Sequence, residues 1–189
     1  MPIFVIEHLE DKVWPWCIIE YKNISKTVGK NNLWFTNIPK NSIYKLKAYG
    51  IVFTKSIKSM NLEKSCVMDP EAEKVLSPRD KKSFNYLIFG GILGDYPPKK
   101  RTKEELTRFL RNSSCRNIGK KQMSTDNAVY VANAIINGKS LDKIKFQDKL
   151  DIKINNIESI ILPYRYALIK NKPFISNELI SFLKKKKSF

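Results

Sequence analysis

The sequence predicts an α/β domain: a mostly parallel sheet with helices on both faces. Two observations carry that prediction. Short apolar runs alternate with helical segments over most of the 189 residues, the pattern of strands joined by crossover helices. Several of those runs end in Gly, Asp or Pro, at the carboxyl ends of strands where open α/β sheets bind ligands.

In chain order, residues 3–7 read as the first strand. Trp14 to Val28 reads as a helix. Pro15 suits its first turn, Ile18, Ile19, Ile24 and Val28 are spaced for a buried face, and Gly29 stops it. Leu33-Trp34-Phe35 is a second strand, and Asn41 to Ala48 a short helix ended by Gly50. Ser65 to Met68 is a third strand, halted by Asp69-Pro70. Phe84 to Phe89 is a strand leading into a glycine-rich segment, and Thr102 to Arg111 has a helical composition with Glu104 and Glu105 near its start. Cys115 to Ile118 is a short strand. Ser124 or Thr125 caps a helix to Ile136, with Ala128, Val131, Ala132 and Ile135 on one side and Gly138 beyond its end. Phe146 to Ile154 and Ile160 to Leu168 are strand-like, the second interrupted by Pro163, and Ser176 opens a final basic helix.

Composition limits the function classes. Hydrophobic residues make up 42% of the chain, enough for a core and too many for global disorder. No apolar stretch approaches the ~20 residues of a membrane span. The first residues lack the basic region and cleavage site of a signal peptide. Cys17, Cys66 and Cys115 are far apart and lack CxxC spacing, which points to reduced thiols and a cytoplasmic setting. His8 is the single histidine, so no metal site is expected. Net charge is +17, from 35 Lys plus Arg against 18 Asp plus Glu. Such a field attracts polyanions, RNA above all, although lysine-loaded surfaces of AT-rich genomes produce the same charge. The run Lys184-Lys185-Lys186-Lys187 reads as a solvated helix end.

The segment Phe89-Gly90-Gly91-Ile92-Leu93-Gly94-Asp95-Tyr96-Pro97-Pro98 carries the strongest functional signal. Its glycines are expected to allow φ > 0 and close approach to a ligand, and its prolines forbid a helix. It is not a P-loop, because no lysine followed by Ser or Thr stands in register. It is not a dinucleotide fingerprint, because Tyr96-Pro97-Pro98 blocks the helix that must follow. Asp95 would repel phosphate. A phosphate-free nucleoside-like ligand suits the segment, and a tight turn with no ligand is the plain alternative.

That segment, together with Lys100-Arg101-Thr102-Lys103-Glu104-Glu105-Leu106, Lys121-Gln122-Met123-Ser124-Thr125-Asp126 and Leu162-Pro163-Tyr164-Arg165-Tyr166, resembles one family. It is the SPOUT-superfamily branch of Sfm-type protein-arginine methyltransferases and their archaeal relatives. Ile6-Glu7-His8 and Val67-Met68-Asp69-Pro70 resemble its strand ends, and the similarity runs in order along nearly the whole chain. The resemblance implies a deep C-terminal trefoil knot and S-adenosylmethionine as cofactor. It implies cofactor contacts from Met68, Asp69, Phe89, Gly90, Gly91, Leu93, Gly94, Gln122, Met123, Ser124 and Asp126. It also implies a monomer in which residues 146–189 form an extension packing on a core of residues 1–145.

By the same resemblance the reaction is methylation of an arginine in a ribosomal protein, with a ribosomal protein or subunit as the partner; the net charge adds RNA contact through the basic surface. An arginine substrate is cationic and needs carboxylates to orient it and take up charge. Asp95, Glu7 and Asp126 stand at matching positions, and Asp95 is the preferred one. Plainer roles stay open: an Asx turn for Asp95, helix capping for Asp126, and a structural hydrogen-bonded couple for Glu7 with His8, whose use as a base has little support. Arg101 is read with the catalytic group, as a contact to the cofactor carboxylate or to substrate backbone, or else as a solvent-facing cation. Tyr96, Tyr164 and Arg165 are read as substrate contacts or as packing. An RNA methyltransferase and a catalytically silent RNA- or ribosome-binding module are the alternatives.

Overall fold

The computed structural model describes residues 1–155 and 158–185. Strands β1 (Ile3–His8), β2 (Leu33–Thr36), β3 (Ile51–Val52), β4 (Ser65–Met68), β5 (Tyr86–Gly91) and β6 (Ser114–Arg116) form one six-stranded sheet in the order β3-β2-β1-β5-β4-β6. Every neighbouring pair is parallel. The helices are α1 (Pro15–Val28), α2 (Ile43–Leu46), α3 (Arg101–Glu105), α4 (Thr125–Ile136) and α5 (Asn177–Lys185). A second sheet, antiparallel and three-stranded, follows the order β7 (Phe146–Lys153), β8 (Ser159–Ile169), β9 (Lys172–Pro173).

The α/β reading holds, and the parallel sheet is as expected. The two sheet faces are covered differently. On one, Phe4, Ile6, Phe35, Leu87 and Phe89 pack against Tyr21, Ile24 and Val28 of α1 and Val131, Ala132 and Ile135 of α4. On the other, Val5, Val67 and Ile88 are covered by Ile57 and Leu106, which come from short helical turns rather than long helices. A third apolar cluster joins Ile19 of α1 to Leu150 and Ile152 of β7, Leu162 and Tyr166 of β8, and Leu179 and Leu183 of α5. This cluster fastens the second sheet to the first layer.

Local signals explain most boundaries. Pro15 sits in the first turn of α1, and Gly29 ends it at φ +80°, a conformation costly for any residue with a Cβ. The Ser176 hydroxyl accepts from the Leu179 amide and caps α5. Lys184 and Lys185 occupy its last turn, whereas Lys186 and Lys187 lie outside the described residues.

Several expectations are corrected. The helix expected over Thr102 to Arg111 is split into α3 and a 3-10 turn at Thr107–Phe109. Leu106 leaves helical geometry to bury itself completely beneath the sheet, and the Thr107 hydroxyl donates to Asp69 Oδ2 at 2.7 Å. Tertiary contacts override propensity there. The helix expected at Asn41 to Ala48 is a 3-10 turn followed by the single turn of α2. The two-residue strands β3 and β9 carried too little periodicity to be read. Pro163 does not break β8; the β7–β8 register shifts near it, between Asp148 and Leu150. The glycine segment is not a left-handed turn either. Gly90 and Gly91 continue β5, and the glycines with positive φ are Gly29, Gly119 and Gly138.

Crowding explains Gly91. A Cβ there would overlap the Tyr21 hydroxyl of α1 and come within 3.0 Å of Ile6 Cγ2 and 3.1 Å of the Glu7 carbonyl. These neighbours belong to the core, so a side chain at 91 disturbs helix–sheet packing, not a ligand. Gly91→Ala is expected to lower stability by ~1–3 kcal/mol in urea denaturation, and Tyr21→Phe in the same chain should recover part of the loss. An unchanged midpoint would contradict the close packing.

Candidate active site

Beyond the carboxyl ends of β4, β5 and β6 lies a cavity of about 500 Å³. That is within the ~300–1,000 Å³ of small-molecule sites. Its floor is Met68 and Asp69 at the end of β4 and Phe89 and Gly90 of β5. Its walls are the glycine segment, the loop from Ile118 to Met123, the first turns of α3 and α4, and Tyr164 and Arg165 of β8. The three segments singled out by sequence therefore converge, as strand ends near the switch in strand order should.

The walls are stitched together by specific contacts. Glu10 Oε1 accepts from the Leu93 amide at 2.9 Å and from Arg101 Nη1 at 2.8 Å. Arg101 also donates from Nε to Glu105 Oε1 at 2.6 Å and from Nη2 to the Leu9 carbonyl at 3.3 Å. These partners hold its guanidinium charged and fixed in the cavity wall. The Tyr164 hydroxyl donates to the Gly94 carbonyl at 2.9 Å. The Gln122 amide, oriented for hydrogen bonding, pairs with the Asp95 carbonyl at 3.1 Å and the Asp95 N–H at 3.2 Å. A Cβ on Gly94 would overlap the Gln122 amide and stand 2.5 Å from Tyr164 Cε1. Gly119, at φ +108°, turns the Ile118–Met123 loop into the cavity.

Of the residues expected to bind a cofactor, Met68, Asp69, Phe89, Gly90, Gly94, Gln122 and Met123 line the cavity. Gly91, Leu93, Ser124 and Asp126 do not; Leu93 holds the segment through its amide, and the other three are buried behind the wall. Asp95, Arg101, Tyr164 and Arg165 also line the cavity. Tyr96 is 80% exposed and lies outside the lining.

Glu7 is corrected. It is fully buried at the β1–β2 junction, outside the cavity. Its carboxylate accepts from Thr36 Oγ1 at 2.5 Å, Ser56 Oγ at 2.5 Å and the Ile57 amide at 3.0 Å. It fastens β2 and the turn over the second sheet face to β1. His8 likewise lies inside, with Nδ1 2.8 Å from the Tyr21 hydroxyl and Nε2 without a hydrogen bond. Burial lowers its pKa and keeps it neutral.

Sequence reasoning missed Glu20. It stands three residues after Cys17 and four before Ile24, on the buried face of α1. A charged residue in that stripe was the available signal. Glu20 takes a 2.7 Å hydrogen bond from Trp16 Nε1. Burial, then the neighbouring charge of Asp126, raises its pKa above the ordinary 4.5 of glutamate. Burial also raises Asp126, against hydrogen bonds from Ser124, Asn23 and Asn127.

Several carboxylates and cations at the mouth are paired with one another. Lys99 bonds Asp95 at 3.3 Å, Lys100 bonds Glu71 at 2.7 Å, and Asp148 takes both Arg165 at 2.7 Å and Lys121 at 2.6 Å. Those two cations hold the Asp148 carboxyl down at about 2. Phe89, Ile118, Met123 and Ala128 add apolar lining beside these polar groups. This mixed lining fits a nucleoside carrying a charged tail.

Comparison with known proteins agrees with that chemistry. The family described as protein arginine N-methyltransferase SFM1-like matches residues 3–188. Protein arginine N-methyltransferase SFM1 of Saccharomyces cerevisiae is 34% identical over 200 residues, 96% of this chain and 94% of the yeast protein. The crystal structure of yeast SFM1 complexed with SAM, 34% identical, superposes with a TM-score of 0.88 over 97% of this chain and 90% of that one. The complex with MTA, 32% identical, gives 0.83 over 96% and 99%. A dual-specific Trm10 protein from Thermococcus kodakaraensis, 19% identical, superposes at 0.57 over 75% of this chain and 96% of that one, and shares the fold alone.

Two outcomes follow from the buried carboxylates. Glu7→Gln leaves donors short of acceptors and is expected to cost ~1–3 kcal/mol in urea denaturation; an unchanged midpoint would remove Glu7 from the framework. For Glu20, the folded chain keeps a proton that the unfolded chain gives up near pH 4.5, so its contribution to stability falls as pH rises from there through the raised folded value. The melting temperature of Glu20→Gln should therefore gain on that of the unmodified chain between about pH 5 and pH 9. A constant difference would contradict the raised pKa.

Proposed function

The chain belongs to the SFM1-like family of protein arginine N-methyltransferases, and from that premise we propose that it methylates an arginine side chain of a ribosomal protein, with S-adenosylmethionine as cofactor. One observation carries the reading: strand ends, glycine segment and Ile118–Met123 loop meet around a nucleoside-sized cavity with apolar lining and a polar rim. When bound, the cofactor supplies an electrophilic methyl carbon on a sulfonium.

The chain's own residues do the rest. Met68, Phe89 and Met123 offer apolar contact to a ring, with the main chain at Gly90 and Gly94 close beside it. Leu93 and Gly91 hold the segment's shape, and Ser124 and Asp126 anchor the first turn of α4 behind the wall. Asp69 fixes its loop by accepting from Thr107 and from the Glu71 amide at 2.9 Å. Arg101, clamped by Glu10 and Glu105, presents a fixed positive charge for a carboxylate tail. Tyr164 and Arg165 stand on the far wall, where a substrate side chain enters. Asp95 sits at the rim and draws the cationic substrate inward. Fixing these groups before the substrate arrives lowers the barrier through orientation and exclusion of water.

The finer architecture belongs to the same proposal. We read residues 1–145 as a SPOUT core with a deep trefoil knot, and residues 146–189 as an extension that covers the face used for pairing in dimeric relatives, leaving a cytoplasmic monomer. Its attachment through Ile19, Leu150 and Leu183 supports that reading. Among the described residues no helix is long and apolar enough to cross a membrane. The net charge of +17 favours a second reading, RNA as the methyl acceptor or as a docking surface that presents the protein substrate.

Incubation with methyl-labelled S-adenosylmethionine and ribosomal subunits, followed by separate protease and nuclease digestion, separates the readings. Label released with arginine-containing peptides is expected. Label retained in oligonucleotides would overturn the arginine assignment in favour of RNA, and failure of the chain to bind cofactor in calorimetry would leave a silent binding module.

A further inference from the structure

Every carboxylate that lines the cavity already has a partner. Asp69 is held by Thr107 and its own turn, Glu71 by Lys100, Asp95 by Lys99, and Asp148 by Arg165 and Lys121. Immediately behind the wall stand two carboxylates with no cation. Glu20 is 5% exposed and accepts from Trp16 Nε1, with Thr125 beside it. Asp126 is 3% exposed and accepts from Asn23, Ser124 and the Asn127 amide. All of these donors are neutral. Among the described residues no lysine, arginine or histidine makes an ion pair with either carboxylate.

An independent observation points to a missing ligand at the same place. The Tyr166 hydroxyl, in a residue 1% exposed, makes no hydrogen bond, and its pKa is raised by burial and by the charges of Asp126 and Glu20. A buried hydroxyl without a partner is costly. The cluster thus holds no cation, keeps a proton on Glu20 in its place, and leaves one buried hydroxyl without a partner. Only a thin wall separates it from the cavity: Thr125 lines the cavity and lies beside Glu20, and Tyr164 lines the cavity and feels the charges of Glu20 and Asp95. Tyr164 and Tyr166 are two residues apart on β8 and face the same way.

We propose that Glu20 is the residue that receives the acceptor arginine: the guanidinium passes Tyr164, forms a charge-assisted pair with the Glu20 carboxylate, and brings the Tyr166 hydroxyl and the Asp126 charge into its environment. This rests on the arginine-methyltransferase reading and replaces Asp95 and Glu7 as the principal acidic group. A guanidinium is planar, permanently charged and rich in donors, which is what two neutral-bonded buried carboxylates lack. The incoming cation favours the charged carboxylate, so the proton that Glu20 keeps in its absence leaves to solvent; in the transfer, one guanidinium N–H proton then goes to Glu20. The freed nitrogen forms a bond to the methyl carbon as the carbon–sulfur bond breaks. The electron pair of that bond stays on sulfur, leaving a neutral thioether and a methylated guanidinium.

The test separates this assignment from the reading it rests on. Glu20→Gln should bind S-adenosylmethionine in calorimetry as the unmodified chain does, yet lose ~100-fold or more in methyl transfer to protein. Tyr166→Phe should keep its melting temperature while KM for the protein substrate rises. Independently of turnover, carbon-13 NMR of carboxyl-labelled glutamates, with S-adenosylhomocysteine present, should show the Glu20 resonance moving as methylguanidinium is added. A Glu20→Gln chain that transfers methyl groups at the unmodified rate, or a Glu20 resonance indifferent to methylguanidinium, would overturn the assignment. If the unmodified chain methylates no protein while the Glu20 resonance responds, the methyltransferase reading fails and the guanidinium site stands.

Discussion

No side chain fits at Gly94, and the site depends on that constraint. Tyr164 from the second sheet and Gln122 from the loop before α4 both press on the position a Cβ would take. The Tyr164 hydroxyl caps the Gly94 carbonyl, and the Arg165 amide donates to the Gln122 carbonyl at 2.9 Å. The glycine segment, the loop and β8 are therefore one unit. Loosening any member would open the cavity on two sides. The C-terminal sheet is not an ornament on a finished core, because it supplies the wall that gives the cavity its depth.

Buried carboxylates divide by how they are satisfied. Glu7 has hydroxyl and amide donors on both oxygens and needs nothing more. Glu20 and Asp126 are buried close enough that burial and the charge of Asp126 keep a proton on Glu20. Low dielectric makes both arrangements high-stakes. The first rigidifies three chain segments. The second keeps a protonated carboxyl beside the cavity, which an arriving cation would ionise.

The chain is strongly basic, yet its cavity mouth is not a bare positive patch. Lys99, Lys100, Lys121, Arg101 and Arg165 are each committed to a carboxylate. The exposed pairs among them contribute little to stability but order the rim, where Lys103 and Lys120 make no salt bridge among the described residues. Net charge reports the whole molecule, and the site is governed by local pairing.

The sequence by itself determined the parallel α/β layout, the limits of α1 and α4, and the three segments that build the cavity, because alternation, caps and glycine spacing are local properties of the chain. It also singled out Arg101, Tyr164 and Gln122 within their motifs. It could not tell that Gly91 faces Tyr21 rather than a ligand, that Glu7 is tied to Thr36 and Ser56, or that Glu20 is buried against Asp126. Those facts join residues at least 29 positions apart in the chain, and only tertiary packing decides them: α1 on β5 and α4, and β2 with the turn at Ser56–Ile57 on β1. Burial sets whether a carboxylate is a brace, a rim charge or a receptor, and burial is a property of the fold and not of the motif.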